Sequence, residues 1–109
     1  MKYLLLVALL LPIAAHADEY RLMIKDHKFQ PAEFTIPSGI KIKLKVDNQD
    51  SIPVEFESTD LSREVIVPGK GEVTIYVGPL SQGSYRFFND FNREMQGVIM
   101  AKPAVGKEN

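Results

Sequence analysis

The chain contains no cysteine in its 109 residues. That absence excludes a disulfide staple, a thiolate metal site and a cysteine nucleophile. Histidine is nearly as scarce, present only as His16 and His27. No His pair stands at zinc spacing, no Ser–His–Asp order has supporting glycines, and no Gly-rich loop is built to cradle phosphate. A carboxylate pair at glycosidase separation is not excluded by sequence, but a domain this small offers little cleft. The reading is therefore of a protein that is not an enzyme. No long segment carries a helical period, and no repeat, linker or low-complexity tract interrupts the chain.

The first residues look like an export signal. Lys2 gives a positive start, Tyr3–Ile13 is almost purely apolar, and Ala15-His16-Ala17 fits the small-x-small rule for cleavage. The apolar run is too short to span hydrocarbon, which takes roughly 20 residues. Cleavage after Ala17 is expected, leaving no transmembrane segment and a single domain over 18–109 with its core at about 19–102. Losing Lys2 leaves 12 Lys and Arg against 14 Asp and Glu. That balance argues against nucleic acid or an anionic membrane as partner, because either calls for a basic excess. His27 becomes the sole remaining imidazole.

What the mature chain has in quantity is alternation. Tyr20, Leu22 and Ile24 alternate with Arg21, Met23 and Lys25, the period of a half-buried strand. Proline and glycine leave room for a short strand at 33–36. Ile40, Ile42, Leu44 and Val46 alternate with Lys41, Lys43, Lys45 and Asp47 in the cleanest strand of the protein. Its lysine row reads as a solvated outer face that discourages edge pairing, rather than an anion-binding stripe. Val54 and Phe56 oppose Glu55 and Glu57, residues 58–64 read as loop or a single helical turn, and Val73, Ile75 and Val77 mark a further strand. Tyr85 and Phe87 lead into a polar loop over 89–96, and 98–101 closes the chain as a strand; the tail beyond Lys102 should fray. Seven or eight short strands separated by turn signals indicate an all-β, mostly antiparallel Greek-key β-sandwich. Phe29, Phe34, Phe56, Tyr85 and Phe87 form its expected core.

Several turn signals occur together in a telling order: Phe29-x-Pro31, Ile36-Pro37-x-Gly39, Asn48-x-Asp50-x-x-Pro53, Pro68-Gly69, Gly83-x-Tyr85-x-Phe87 and Gly97-x-Ile99. In these the chain resembles the cupredoxin family over essentially its whole mature length. Pro53-Val54-Glu55-Phe56-Glu57-Ser58 and Gly78-Pro79-Leu80 are similar, more narrowly, to EfeO-type cupredoxin-like domains. The resemblance implies a small periplasmic protein that accompanies a bacterial ferrous-iron permease. Its partner would be that membrane permease or a periplasmic oxidase subunit, and its ion iron or copper.

Compared with a blue-copper member, the ligand frame is present and emptied. The family's Cys-x2-His-x2-Met reads here Asn89-x2-Asn92-x2-Met95, and the His expected just after Pro53 is Val54. Blue copper requires a short Cu–thiolate bond with two imidazoles, Met being a weak axial donor. A type I site is therefore ruled out by composition. If the family frame holds, strand one runs parallel to the lysine-bearing strand and both end at the pole of the 89–95 loop. That would bring His27 and Asp26 beside Asp90, Asn92, Glu94 and Met95, with Glu55 and Glu57 on the neighbouring strand. The expected metal ligands are His27, Glu55, Asp90 and Met95. Each has a plainer role open to it. His27 in a loop can simply be solvated, Met95 can fill an irregular gap between sheets, and Asp90 can cap its own turn. Glu55 and Glu57 can face water. Asn89 and Asn92 can hold the loop through backbone hydrogen bonds. The alternative to a metal-handling subunit is a metal-free interaction module that docks a permease or oxidase.

Overall fold

Alternation translates directly into pleated strands packed on one face. A computed structural model describes residues 18–104, so the expected leader at 1–17 lies outside the described residues. Among these, nine strands are present: β1 (Asp18–Lys25), β2 (Lys28–Gln30), β3 (Glu33–Pro37), β4 (Ile42–Asn48), β5 (Val54–Ser58), β6 (Arg63–Val67), β7 (Glu72–Val77), β8 (Gly83–Asn89) and β9 (Asn92–Lys102). They form a four-stranded sheet in the order β2-β1-β4-β7 and a five-stranded sheet in the order β3-β9-β8-β5-β6. β1 lies parallel to β4 and β3 parallel to β9, while the other pairs are antiparallel.

The two inner faces meet in one core. Leu22 and Ile24 of β1, Ile42, Leu44 and Val46 of β4, and Val77 of β7 face Phe56, Val67, Phe87 and Ile99 of the other sheet. Phe87 is the hub of an aromatic cluster, edge-on to Phe29 at 4.9 Å and stacked on Phe56 at 5.2 Å. Such pairs add to the area they bury because ring edges and faces carry opposite partial charge. Of the expected aromatic core, Phe29, Phe56 and Phe87 are buried, whereas Phe34 and Tyr85 pack only partly against it. Gly97 lies opposite Phe87 in the β8–β9 register, and a Cβ there would stand 2.2 Å from the Phe87 ring. The lysine row of β4 faces outward, with Lys43 and Lys45 each within 3.9 Å of Glu19.

Three expectations need correction, and one strand was not foreseen. Ile40 precedes β4 and is 42% exposed, because the turn at 38–39 has not yet brought the chain into the sheet. The stretch 58–64 is neither a loop throughout nor helical: β5 runs to Ser58, a turn follows, and β6 begins at Arg63. β2 is a separate three-residue strand that pairs back on β1. The polar loop over 89–96 shrinks to Asp90 and Phe91, since Asn92 already pairs with Asn89 and opens β9. In the last three cases strand pairing extends into polar sequence because a neighbouring strand offers unsatisfied backbone groups.

Candidate metal centre at the hairpin pole

Parallel pairing of β1 with β4 carries both strands to the same end of the sandwich. There Ile24 sits opposite Asn48, and the chain turns at Asp26-His27 and at 49–53. The β8–β9 hairpin reaches the same pole. His27, Asp50, Val54, Asn89, Asn92 and Met95 consequently line one cavity of about 360 Å³, with Ile52, Pro53 and Phe91 at its rim. A second hollow continues from it past His27 and Met95 to Asp26, Glu94 and Gln96. All four positions that hold copper in the resembled blue-copper pattern (54, 89, 92 and 95) thus face one space, and among them only Met95 keeps a ligating side chain.

Met95 is buried at the cavity wall, whereas His27 stands open to solvent with 66% of its side chain exposed. Asn89 lines the same cavity, buried and fully employed. Its Oδ1 accepts the backbone N–H groups of Glu55 and Phe91, each at 3.0 Å, and its Nδ2 donates to the Met95 sulfur at 3.6 Å. The bond to Phe91 is an Asx turn, so Asn89 caps the hairpin rather than Asp90. Asp90 instead forms an ion pair with Arg93 at 2.8 Å.

The structure therefore separates the expected ligand set. His27 and Met95 share the pole, with Asp26, Asn92 and Glu94 around it. Glu55 does not join them: it alternates with inward-facing Val54 and Phe56, and so points to the outer face of the five-stranded sheet. There a carboxylate oxygen of each of Glu55, Glu57 and Glu64 lies within 4.8 Å of the others. Burial raises the Glu55 carboxyl above its ordinary range, and the nearby Glu64 raises it further. Burial is also the main cause for Glu57, reinforced by the charges of Asp90 and Glu64. Glu57 Oε2 has no hydrogen-bond partner among the described residues and no contact with solvent. Glu64 was not visible as a member because its strand reads as loop; its place opposite Glu57 comes only from the β5–β6 register.

Asp50 is a second residue that the sequence did not mark. Its carboxylate accepts the backbone N–H of Asp26 at 3.0 Å and of His27 at 2.9 Å. The His27 bond, followed by that from Asp26, holds the Asp50 carboxyl below its ordinary value against the opposing effect of burial. The available signal was an Asn-x-Asp placed just where a regular alternating strand stops.

A model of the cupredoxin-like domain matches residues 2–101, and the chain belongs to that family. An uncharacterized protein of Rickettsia prowazekii (strain Madrid E) is 42% identical over 83 residues, covering 75% of this chain; the match spans 66% of that relative's length. Among solved structures, the metal-binding domain of the Cu(I)-exporting P-type ATPase CopA of Streptococcus pneumoniae D39 superposes with a TM-score of 0.67 at 14% identity, covering 77% of this chain and 84% of that one. Amicyanin from Paracoccus versutus gives 0.62 at 17% identity, with 84% and 86% covered. Auracyanin A from Chloroflexus aurantiacus gives 0.65 at 12% identity, with 77% and 98% covered. At these identities the likeness is one of fold. The residues present do not fit a type I copper centre: the thiolate position is an amide already committed to two backbone donors, and both imidazole positions lack imidazole.

Proposed function

We propose that this chain is a periplasmic metal-handling protein of a ferrous-iron or copper uptake system, which takes its ion at the hairpin pole and hands it to a membrane permease or periplasmic oxidase. It acts as a carrier and not as a catalyst. The observation that carries the reading is the sharing of one cavity by His27 and the thioether of Met95. Imidazole with thioether is a donor pair suited to copper(I), whereas iron(II) prefers carboxylate and imidazole. The carboxylates that would have favoured iron, Glu55 and Asp90, are occupied on the outer face or in an ion pair. Between the two cargoes the pole therefore favours copper(I). Few donors and an open imidazole suit transfer better than storage.

Anaerobic titration with Cu(I) and Fe(II), using a competing chromophoric chelator, tests this. One equivalent of Cu(I) should bind, and His27→Ala and Met95→Ala should each weaken it by tenfold or more. Binding to the native state must also raise the melting temperature. Unchanged melting in every metal would leave the second reading, a metal-free module that docks its partner by this pole. Ile52 and Phe91, 55% and 56% exposed beside the cavity, favour that reading, as does the engagement of the Met95 sulfur by Asn89.

A further inference from the structure

The Asp26-His27 turn joins β1 to β2 with both residues in the left-handed region, at φ 53° and 59°. A two-residue hairpin of this kind favours Asn-Gly or Asp-Gly, because glycine meets no steric cost at positive φ. The chain instead places a histidine at the position where glycine is cheapest. Something must hold that conformation, and the contacts identify it. Asp50 presents one carboxylate oxygen to the Asp26 N–H and the other to the His27 N–H.

Asp50 is itself fixed from behind. Its N–H donates to Asn48 Oδ1 at 3.0 Å and its carbonyl accepts from the Lys70 N–H at 2.8 Å. Asn48 is fully buried and donates to the Ile52 carbonyl at 2.8 Å. The 68–71 turn behind it fits closely, since a Cβ on Gly69 would lie 2.1 Å from the Ser51 carbonyl oxygen. The side chain of Asp50 is only 18% exposed, and its Oδ2 lies 3.9 Å from Nδ1 of His27. At that distance the contact is one of charge rather than a hydrogen bond, and a carboxylate on that side of an imidazole favours the proton on Nδ1 and leaves the Nε2 lone pair free to ligate.

We propose that Asp50 is the positioning residue of the pole site: it clamps the left-handed turn and sets the His27 ring with Nδ1 toward itself, so that Nε2 is the atom offered to a soft cation. This rests on the function proposed above, but its first readout needs no metal.

Long-range proton–nitrogen spectra of the His27 ring, recorded on the metal-free protein with the ring neutral, should show the proton mainly on Nδ1. In Asp50→Asn the ring should shift toward the Nε2–H form that free imidazole prefers. Cu(I) affinity, read by chelator competition, should fall about tenfold in that variant, the scale typical of a lost outer-shell carboxylate. Asp50→Glu should recover part of both signals. A wild-type ring protonated mainly on Nε2 overturns the proposal, and this measurement stands even where a variant fails to fold. A ring spectrum and Cu(I) affinity both unchanged in Asp50→Asn overturn it as well. Expected ring spectra in a protein that binds no Cu(I) would sustain the clamp and sink the carrier function instead.

Discussion

The amide nitrogen of Asn89 faces the sulfur of Met95 across 3.6 Å, in the space where the resembled blue-copper pattern would put a thiolate and its axial methionine. The same side chain ties together the start of β5 and the tip of the β8–β9 hairpin. Asn89 has thus become a structural strut. Asn89→Ala should destabilise the protein by about 1–3 kcal/mol, because two part-buried N–H groups lose their acceptor and the buried contact with Met95 is lost. Urea unfolding measures it, and a cost near zero would mean that water replaces the amide freely.

If the scaffold is intact beneath that strut, its ligand frame can be refilled. The triple variant Val54→His, Asn89→Cys, Asn92→His, with native Met95, should bind Cu(II) and develop the intense visible absorption of a copper–thiolate bond. Its absence in a folded variant would show that the short turn at Asp90-Phe91 has closed the geometry for good. The two-residue loop was not legible in the sequence, which is mostly polar from 89 to 96 and gives no signal that Asn92 pairs with Asn89. The parallel run of β1 beside β4 was legible, because clean alternation at 20–25 and 42–46 fixes which face is buried and the resembled family supplies the order.

Gly97→Ala should cost about 1–3 kcal/mol, the range for forcing a methyl into a packed core. The neighbour is the Phe87 ring at 2.2 Å, with the Ala32 carbonyl at 2.8 Å behind it. Thermal unfolding checks this, and a variant as stable as wild type would mean that the aromatic cluster repacks without loss.

The carboxylates of Glu55, Glu57 and Glu64 should make stability depend on pH in an unusual direction. Glu55 and Glu57 have raised values in the folded protein, chiefly through burial, so the native state holds their protons more tightly than the unfolded chain. Their contribution is favourable below the unfolded carboxylate range and is lost as pH rises through the folded values. Glu57→Gln should therefore raise the melting temperature at neutral pH and leave it nearly unchanged near pH 4. A larger gain at pH 4 than at pH 7 would reverse the assigned sign. The sequence showed Glu55 and Glu57 as a polar face; only the unrecognised strand β6 turns them into a crowded one.

Asp50 should act in the opposite sense. Its carboxyl is held low by the two turn amides, so the stability it provides is present above the unfolded carboxylate value and lost as pH falls through the folded one. Wild type and Asp50→Asn should accordingly converge in melting temperature on acidification. Curves that diverge toward acid would count against the clamp.

β9, the last of the nine described strands, sits inside its sheet, flanked by β3 on one side and β8 on the other. Before β9 pairs, β3 has no partner strand in its sheet and β8-β5-β6 ends at an open edge. Closure needs β9 to pair beside a strand more than fifty residues earlier in the chain. Long-range pairing of this kind is slow to form. The five-stranded sheet is thereby left open until β9 pairs on both sides, and then closes as a single unit.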